Sequence, residues 1–288
     1  MPELHLHLVS DSSGETVSAM ARACLAQFEG VQAVHHEWWL VRTQGQMERV
    51  ITGISEHPGV VFYTIVDSGA RSLLEEACRL MNVPCQSILD PFLALLANHL
   101  QMEIKARPGR QYVMDAEYFA RIEAMQYTLS HDDGQLLDDL ESAHIILVGV
   151  SRTSKTPTSM YLANRGFKCA NYPLVPEIPI PSQILEAKRP LVVGLTGDPA
   201  RVADIRQTRL KMLHDRSESN YAAIDSVEEE IRWARRLFGR QGWPVIDVTR
   251  RSIEEAAAAV IQLYHETMES RPEKDRPRSG ALSKEKSL

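Results

Sequence analysis

Gly149, Lys155 and Thr156 stand at the spacing of a phosphate-binding loop. The pattern asks for glycine, four residues, then glycine, lysine and a hydroxyl residue. Residues 143–156 read Ala-His-Ile-Ile-Leu-Val-Gly-Val-Ser-Arg-Thr-Ser-Lys-Thr, with Ser154 in place of the second glycine. In such a loop the backbone N–H groups of Gly149, Val150, Ser151, Arg152, Thr153, Ser154, Lys155 and Thr156 curl round phosphate oxygens. The helix that follows turns its positive end toward them. Lys155 would place its ammonium between the terminal phosphates, and Thr156 would offer its hydroxyl to Mg²⁺. The ligand implied is a nucleotide polyphosphate. If the position of Ser154 requires a positive φ, serine meets a steric cost there that glycine avoids.

Further carboxylates are needed for phosphoryl chemistry. Enzymes of this kind usually hold Mg²⁺ with a second acidic residue at a strand end. Asp198, after the run Leu191–Leu195, and Asp247, after Trp243–Val248, both qualify. The block His131-Asp132-Asp133-Gly134 lies shortly before the loop strand, so His131 or one of the two aspartates could reach the nucleotide site, with Asp132 or Asp133 the candidate base for a transfer reaction. Asp11 directly follows the first strand-like run, where a catalytic or metal-binding carboxylate could also sit. Its loop, Ser10-Asp11-Ser12-Ser13-Gly14-Glu15-Thr16, could cap a helix or hold an anion.

The elements that must position these residues alternate strand and helix. Leu4–Val9, Trp38–Val41, Val60–Val66 and Cys85–Leu89 read as strands. Between and after them, apolar residues recur at helical spacing: Val17 to Phe28, Met47 to Ile54, Leu73 to Leu80, and Pro91–Met102. Such alternation predicts a parallel sheet covered on both faces, with ligands bound beyond its C-terminal edge. Asp67 reads as a turn residue and helix cap. Arg107–Arg110 is a loop signal, and Asp115–Tyr127 a helix. Pro173–Pro181 is too constrained for a central strand or helix. Helices are expected through Val202, Ile205 and Leu210, over Val227–Arg240, and after a capping box at Ser252. The organisation predicted is α/β throughout. An N-terminal parallel-sheet βαβ domain over 1–102 leads through a helical connector, 103–142, to a P-loop kinase-like α/β domain over 143–270. The polar tail 271–288 is expected to be disordered.

Composition narrows the classes. The 288 residues carry a net charge of −6, which argues against nucleic acid as the main partner. The local cluster Arg201, Arg206, Arg209 and Lys211 reads as a solvated helix face or, in a small-molecule kinase, as a lid. The four cysteines lack metal-type spacing and suit a reducing cytoplasm. No apolar stretch reaches the ~20 residues of a membrane span, and no signal segment opens the chain.

Five segments together resemble one family. They are Val9-Ser-Asp-Ser-Ser-Gly-Glu-Thr16, Tyr127-Thr-Leu-Ser-His-Asp-Asp-Gly134, Gly149-Val-Ser-Arg-Thr-Ser-Lys-Thr-Pro-Thr-Ser159 with Tyr161-Leu-Ala-Asn-Arg-Gly166, Ala170-Asn-Tyr-Pro-Leu-Val-Pro176, and Gly242-Trp-Pro-Val-Ile-Asp-Val-Thr-Arg-Arg-Ser252. The chain resembles the bacterial pyruvate, phosphate dikinase regulatory proteins, which include the similar phosphoenolpyruvate synthase regulators, over roughly residues 4–268. The resemblance implies that Ser154 is a permitted variant. It also implies a bifunctional enzyme. One activity uses ADP to phosphorylate a threonine of the dikinase; the other uses inorganic phosphate to remove that group, releasing pyrophosphate. The N-terminal and P-loop segments look more like the dikinase branch than the synthase branch. A homodimer is plausible for the family. On the residues alone, a small-metabolite P-loop kinase and a non-catalytic nucleotide sensor remain as alternatives.

Overall fold

A computed structural model describes residues 3–105, 116–212 and 220–271. The chain divides into two compact units, Met1–Val113 and Met114–Leu288. The predicted Arg107–Arg110 loop and the tail beyond Arg271 lie outside the described residues, as does Asp115.

The first unit alternates β1 (Glu3–Ser10), α1 (Glu15–Leu25), β2 (Gln32–Trp38), α2 (Gln44–Glu56), β3 (Val60–Thr64), α3 (Ser68–Leu80), β4 (Cys85–Ser87) and α4 (Asp90–Leu100). Its strands form a parallel sheet in the order β2-β1-β3-β4. Residues alternate sides along β1. Leu6 and Leu8 pack with Val17 and Ala21 of α1, while Val9 faces Val50 and Ile54 of α2 and Leu74 of α3. Both faces are therefore covered, as a parallel sheet requires.

β2 lies earlier than the expected Trp38–Val41. The apolar run Trp38-Trp39-Leu40-Val41 marks the strand's end and the loop beyond it. There Leu40 and Val41 donate their N–H groups to Ser12 O and Ser10 O. Trp39 packs against Gly14, whose φ is +80° and where an added Cβ would sit 2.2 Å from the indole. Gly14 occupies the N-cap of α1, a position with no side chain to cap the helix. Asp67 does cap α3, accepting the Ala70 N–H at 2.8 Å.

The second unit opens with α5 (Ala116–Ser130) and two 3₁₀ turns, Asp132–Gly134 and Leu137–Ser142. It continues with β5 (Ile145–Gly149), α6 (Lys155–Asn164), β6 (Cys169–Pro173), α7 (Ser182–Leu185), β7 (Leu191–Thr196) and α8 (Pro199–Met212). A 3₁₀ turn at Asn220–Ala222, α9 (Ile224–Gln241), β8 (Val245–Asp247) and α10 (Ile253–Ser270) complete it. The parallel order is β6-β5-β7-β8. β5 and β7 are buried at every position, as central strands of a two-faced sheet must be. Ile146 and Val148 face Ile231 and Phe238 of α9; Ile145 and Leu147 face Leu162 of α6 and Val260 of α10.

β6 was not expected. It is an edge strand that ends at Pro173, a position where a missing N–H costs no ladder bond. On α8, Val202 is buried as predicted, but Ile205 is 39% exposed and Arg206 turns inward in its place. The Ser252 capping box forms. All four cysteines are free thiols.

Candidate functional site

The loop between β5 and α6 is built by close approach. A Cβ on Gly149 would lie 2.5 Å from Leu195 O of the neighbouring strand, so only glycine fits there. Beyond it Arg152 has φ +70° and Ser154 φ +59°. Ser154 thus occupies the left-handed position that the glycine of the general pattern would take. Each such residue costs about 1–2 kcal/mol, so something must hold the loop in place. Internally, Thr153 Oγ1 and Lys155 Nζ both donate to Val150 O, at 2.9 Å and 3.0 Å.

Lys155 opens α6 and is 6% exposed. Burial depresses its pKa to about 8, against the pull of the Asp133 carboxylate; the Arg206 and Arg152 charges lower it further. Thr156 is exposed at the first helical turn, beside Pro157. Gly166, at φ +87°, follows the C-terminal end of the helix.

The His131–Gly134 block meets this loop. Thr156 Oγ1 donates to Asp132 Oδ1 at 3.0 Å. Asn171 of β6 holds the turn: its amide donates to the same Asp132 oxygen and, at 3.3 Å, to Ser159 Oγ, while its Oδ1 accepts the Asp133 N–H at 3.0 Å. His131 N–H and ring Nδ1 both lie on Tyr127 O, at 3.0 Å and 2.7 Å, and the His131 ring stacks on Tyr127 at 3.7 Å. This buried histidine anchors the turn. Asp133 sits at φ +56° with its carboxylate exposed and, among the described residues, without a hydrogen-bond partner. The two carboxylates are therefore distinct. Asp132 is bonded into the loop; Asp133 is free and acts on Lys155 through its charge.

The remaining predicted carboxylates have other surroundings. Asp198 Oδ1 accepts the Arg201 N–H at 3.0 Å, capping the first turn of α8. Asp247 accepts from Thr249 and pairs with Arg235 at 3.5 Å. Burial alone would raise its pKa, but the Thr249 hydroxyl and amide, with Arg235 and Arg251, hold it below the usual range. Asp11 belongs to the first unit. There its buried carboxyl accepts the Val66 N–H at 2.8 Å, and desolvation raises its pKa.

Two contributors were not singled out from sequence. Asn171 lies in the unpredicted strand β6, so nothing placed it against Asp132. Arg206, read within a solvated cluster, is fully buried and reaches Ser151 O at 3.3 Å. The apolar neighbours Val202 and Ala203 share its inward face, and that spacing was the available signal.

The oxygen-only set of Thr156 Oγ1 and Asp132 Oδ1 suits Mg²⁺, which binds through one or two carboxylates together with phosphates and water. Among the described residues no cluster of three or more His, Cys, Asp or Glu could form a fuller cage. Nor is any helix of the described residues long and apolar enough to cross a membrane.

The chain is similar in sequence to known proteins over most of its length. Residues 6–261 match the model of the kinase/pyrophosphorylase family. A protein of Paramagnetospirillum magneticum is 63% identical over 271 residues, covering 94% of this chain and 87% of its own. One of Rhodospirillum rubrum is 55% identical over 262 residues, covering 91% and 95%. One of Caulobacter vibrioides is 52% identical over 259 residues, covering 90% and 82%. All three are provisionally named pyruvate, phosphate dikinase regulatory protein.

Proposed function

Because the chain belongs to the kinase/pyrophosphorylase family, we propose that it is an ADP-dependent protein kinase and phosphate-dependent phosphorylase that regulates pyruvate, phosphate dikinase in the cytoplasm. In one direction it transfers the β-phosphoryl group of ADP to a threonine hydroxyl of the dikinase, breaking the bond from the β-phosphorus to the bridging oxygen and releasing AMP. In the other, inorganic phosphate attacks the phosphothreonine and pyrophosphate leaves. The observation that carries this reading is the Thr156–Asp132 hydrogen bond, which brings a carboxylate pair to a phosphate-binding loop beside a buried lysine.

The residues divide the work. The amides of residues 149–156 cradle the phosphates, and Lys155 neutralises charge on the transferring group. Asp132, with Thr156, would hold Mg²⁺, which supplies charge neutralisation on the phosphate oxygens when bound. Asp133, free and exposed, accepts the proton of the attacking threonine hydroxyl and returns it in the reverse direction. Asp198 is given no step, since its carboxylate caps α8. Asp11 is given none either, its carboxyl being bonded to the β3–α3 loop.

The test uses purified dikinase and [β-³²P]ADP. Label should move to a dikinase threonine, and Lys155→Ala should abolish the transfer. Transfer from ATP alone, or transfer undiminished in the variant, would overturn the proposal. The phosphoenolpyruvate synthase of the same reaction class, offered in parallel, decides which target is used.

A further inference from the structure

Arg206 is the largest fully buried side chain among the described residues. Its guanidinium forms a two-pronged pair with Glu230 of α9, Nη1 to Oε1 at 2.9 Å and Nη2 to Oε2 at 2.7 Å. The remaining Nη donors are directed at backbone carbonyls: Nη1 to Tyr221 O at 2.8 Å and Nη2 to Ser151 O at 3.3 Å. The Tyr221 ring lies over the guanidinium at 4.5 Å, and its hydroxyl is 2.8 Å from Ser151 Oγ. Arg206 Nε is buried without a partner among the described residues.

Burying a guanidinium this completely is costly, and two apolar side chains would fill the same space as well. What an apolar side chain cannot do is grip a carbonyl. The gripped carbonyl belongs to Ser151, next to Arg152 and three residues before Ser154, the two left-handed residues of the loop. The loop's internal bonds converge on Val150 O. Arg206 and Tyr221 hold the adjoining residue from outside, through both its carbonyl and its hydroxyl.

We propose that Arg206 is a positioning residue of the transfer site: fixed by Glu230 and covered by Tyr221, it keeps the 150–154 loop in its phosphate-binding conformation before ligand arrives. A loop already held in that shape loses less conformational freedom on binding, so the clamp acts on affinity. Its positive charge is also felt at Lys155, whose proton affinity it lowers. The role rests on the loop being the nucleotide site proposed above.

The experiment compares wild type with Arg206→Lys, which keeps the charge and loses the fork, and Tyr221→Phe, which keeps the ring and loses the hydroxyl. Amide hydrogen exchange on ligand-free protein comes first and needs no nucleotide. The amides of residues 150–156 should exchange faster in both variants while those of β5 and β7 stay protected. Equilibrium binding of ADP should then weaken by about tenfold or more in Arg206→Lys, since a hydrogen bond from a charged group is lost, and by less in Tyr221→Phe. The dikinase assay should show the loss in KM for ADP more than in kcat. Unchanged exchange at 150–156 in both variants would overturn the clamp. So would unaltered ADP affinity in both, provided wild type binds ADP. If wild type binds no ADP, the nucleotide assignment fails instead, and the exchange result still judges the clamp.

Discussion

Thr156 Oγ1 and Asp132 Oδ1 lie 3.0 Å apart across 24 residues of sequence. The hydroxyl that a phosphate-binding loop offers to its metal is thus already paired with a carboxylate from the turn after α5. Asp198 and Asp247, the two strand-end carboxylates, bond elsewhere, to the Arg201 N–H and to Thr249.

Asp132→Ala should reduce phosphoryl transfer from ADP by about a hundredfold or more, the usual scale for losing a group that organises transition-state charge. Asp198→Ala should leave transfer within about twofold and lower stability by about 1 kcal/mol through the lost cap. Transfer rates with labelled ADP, set beside denaturant unfolding of each variant, check both.

Lys155 has its pKa depressed to about 8 from 10.5 by burial. Its charge is present below that pH and lost above it, so ADP affinity should fall as pH rises through about 8. Stability should move the other way. Between about 8 and 10.5 the unfolded chain holds a proton that the folded protein has released, so unfolding free energy gains with pH across this window. Titration of ADP binding and of the denaturation midpoint from pH 7 to 10.5 would reveal the opposed slopes. Lys155→Met should remove this residue's contribution to the stability slope.

Gly149 and Ser154 respond oppositely to one methylene-scale change. Gly149→Ala places a Cβ against Leu195 O and should destabilise by about 1–3 kcal/mol or more, with loss of ADP binding. Ser154→Gly relieves a left-handed residue at about 1–2 kcal/mol while loosening the unfolded chain by about 0.5–1 kcal/mol, for a net gain of up to about 1.5 kcal/mol. Thermal melting distinguishes them; a Ser154→Gly variant clearly less stable than wild type would contradict the φ of +59°.

The first unit carries a histidine cluster remote in sequence from all of this. His7 Nδ1 accepts from Trp38 Nε1 at 3.2 Å and its Nε2 donates to His57 O at 2.8 Å, while His36 stacks on His7 and bonds His5. Burial, outweighing the His57 carbonyl's opposite pull, and the neighbouring imidazoles lower the pKa of His7; burial and imidazoles do the same for His36. Below pH 6.5 the unfolded chain takes up protons that the folded cluster resists, so stability should fall as pH drops through this range. Denaturation midpoints from pH 7.5 to 5 should slope downward, and His36→Gln should flatten part of that slope.

By itself the sequence determined the fold class, most element positions and the strand–loop–helix around Gly149–Thr156. These depend on local signals: apolar periods of two and 3.6, caps such as Ser252, and the Gly149–Thr156 spacing. The motif blocks were also legible, because residue identity survives without coordinates. The placement of β2 was misled by Trp38–Val41, of which only Trp38 stands in the ladder, while Trp39 packs on Gly14 and Val41 enters the core beyond the strand's end. β6 escaped because an edge strand ending in proline shows neither strong alternation nor a continuous apolar run.

What only the tertiary structure decided is which polar residues meet. Asp132 meets Thr156 because β6 carries Asn171 to the turn after α5, and that turn to Thr156. Arg206 leaves a cluster of surface cations for the interior because Glu230 awaits it on another helix. Such pairings depend on how strands are ordered in the sheet and helices laid over it. A sequence expresses that order only through long-range packing, which local periodicity does not encode.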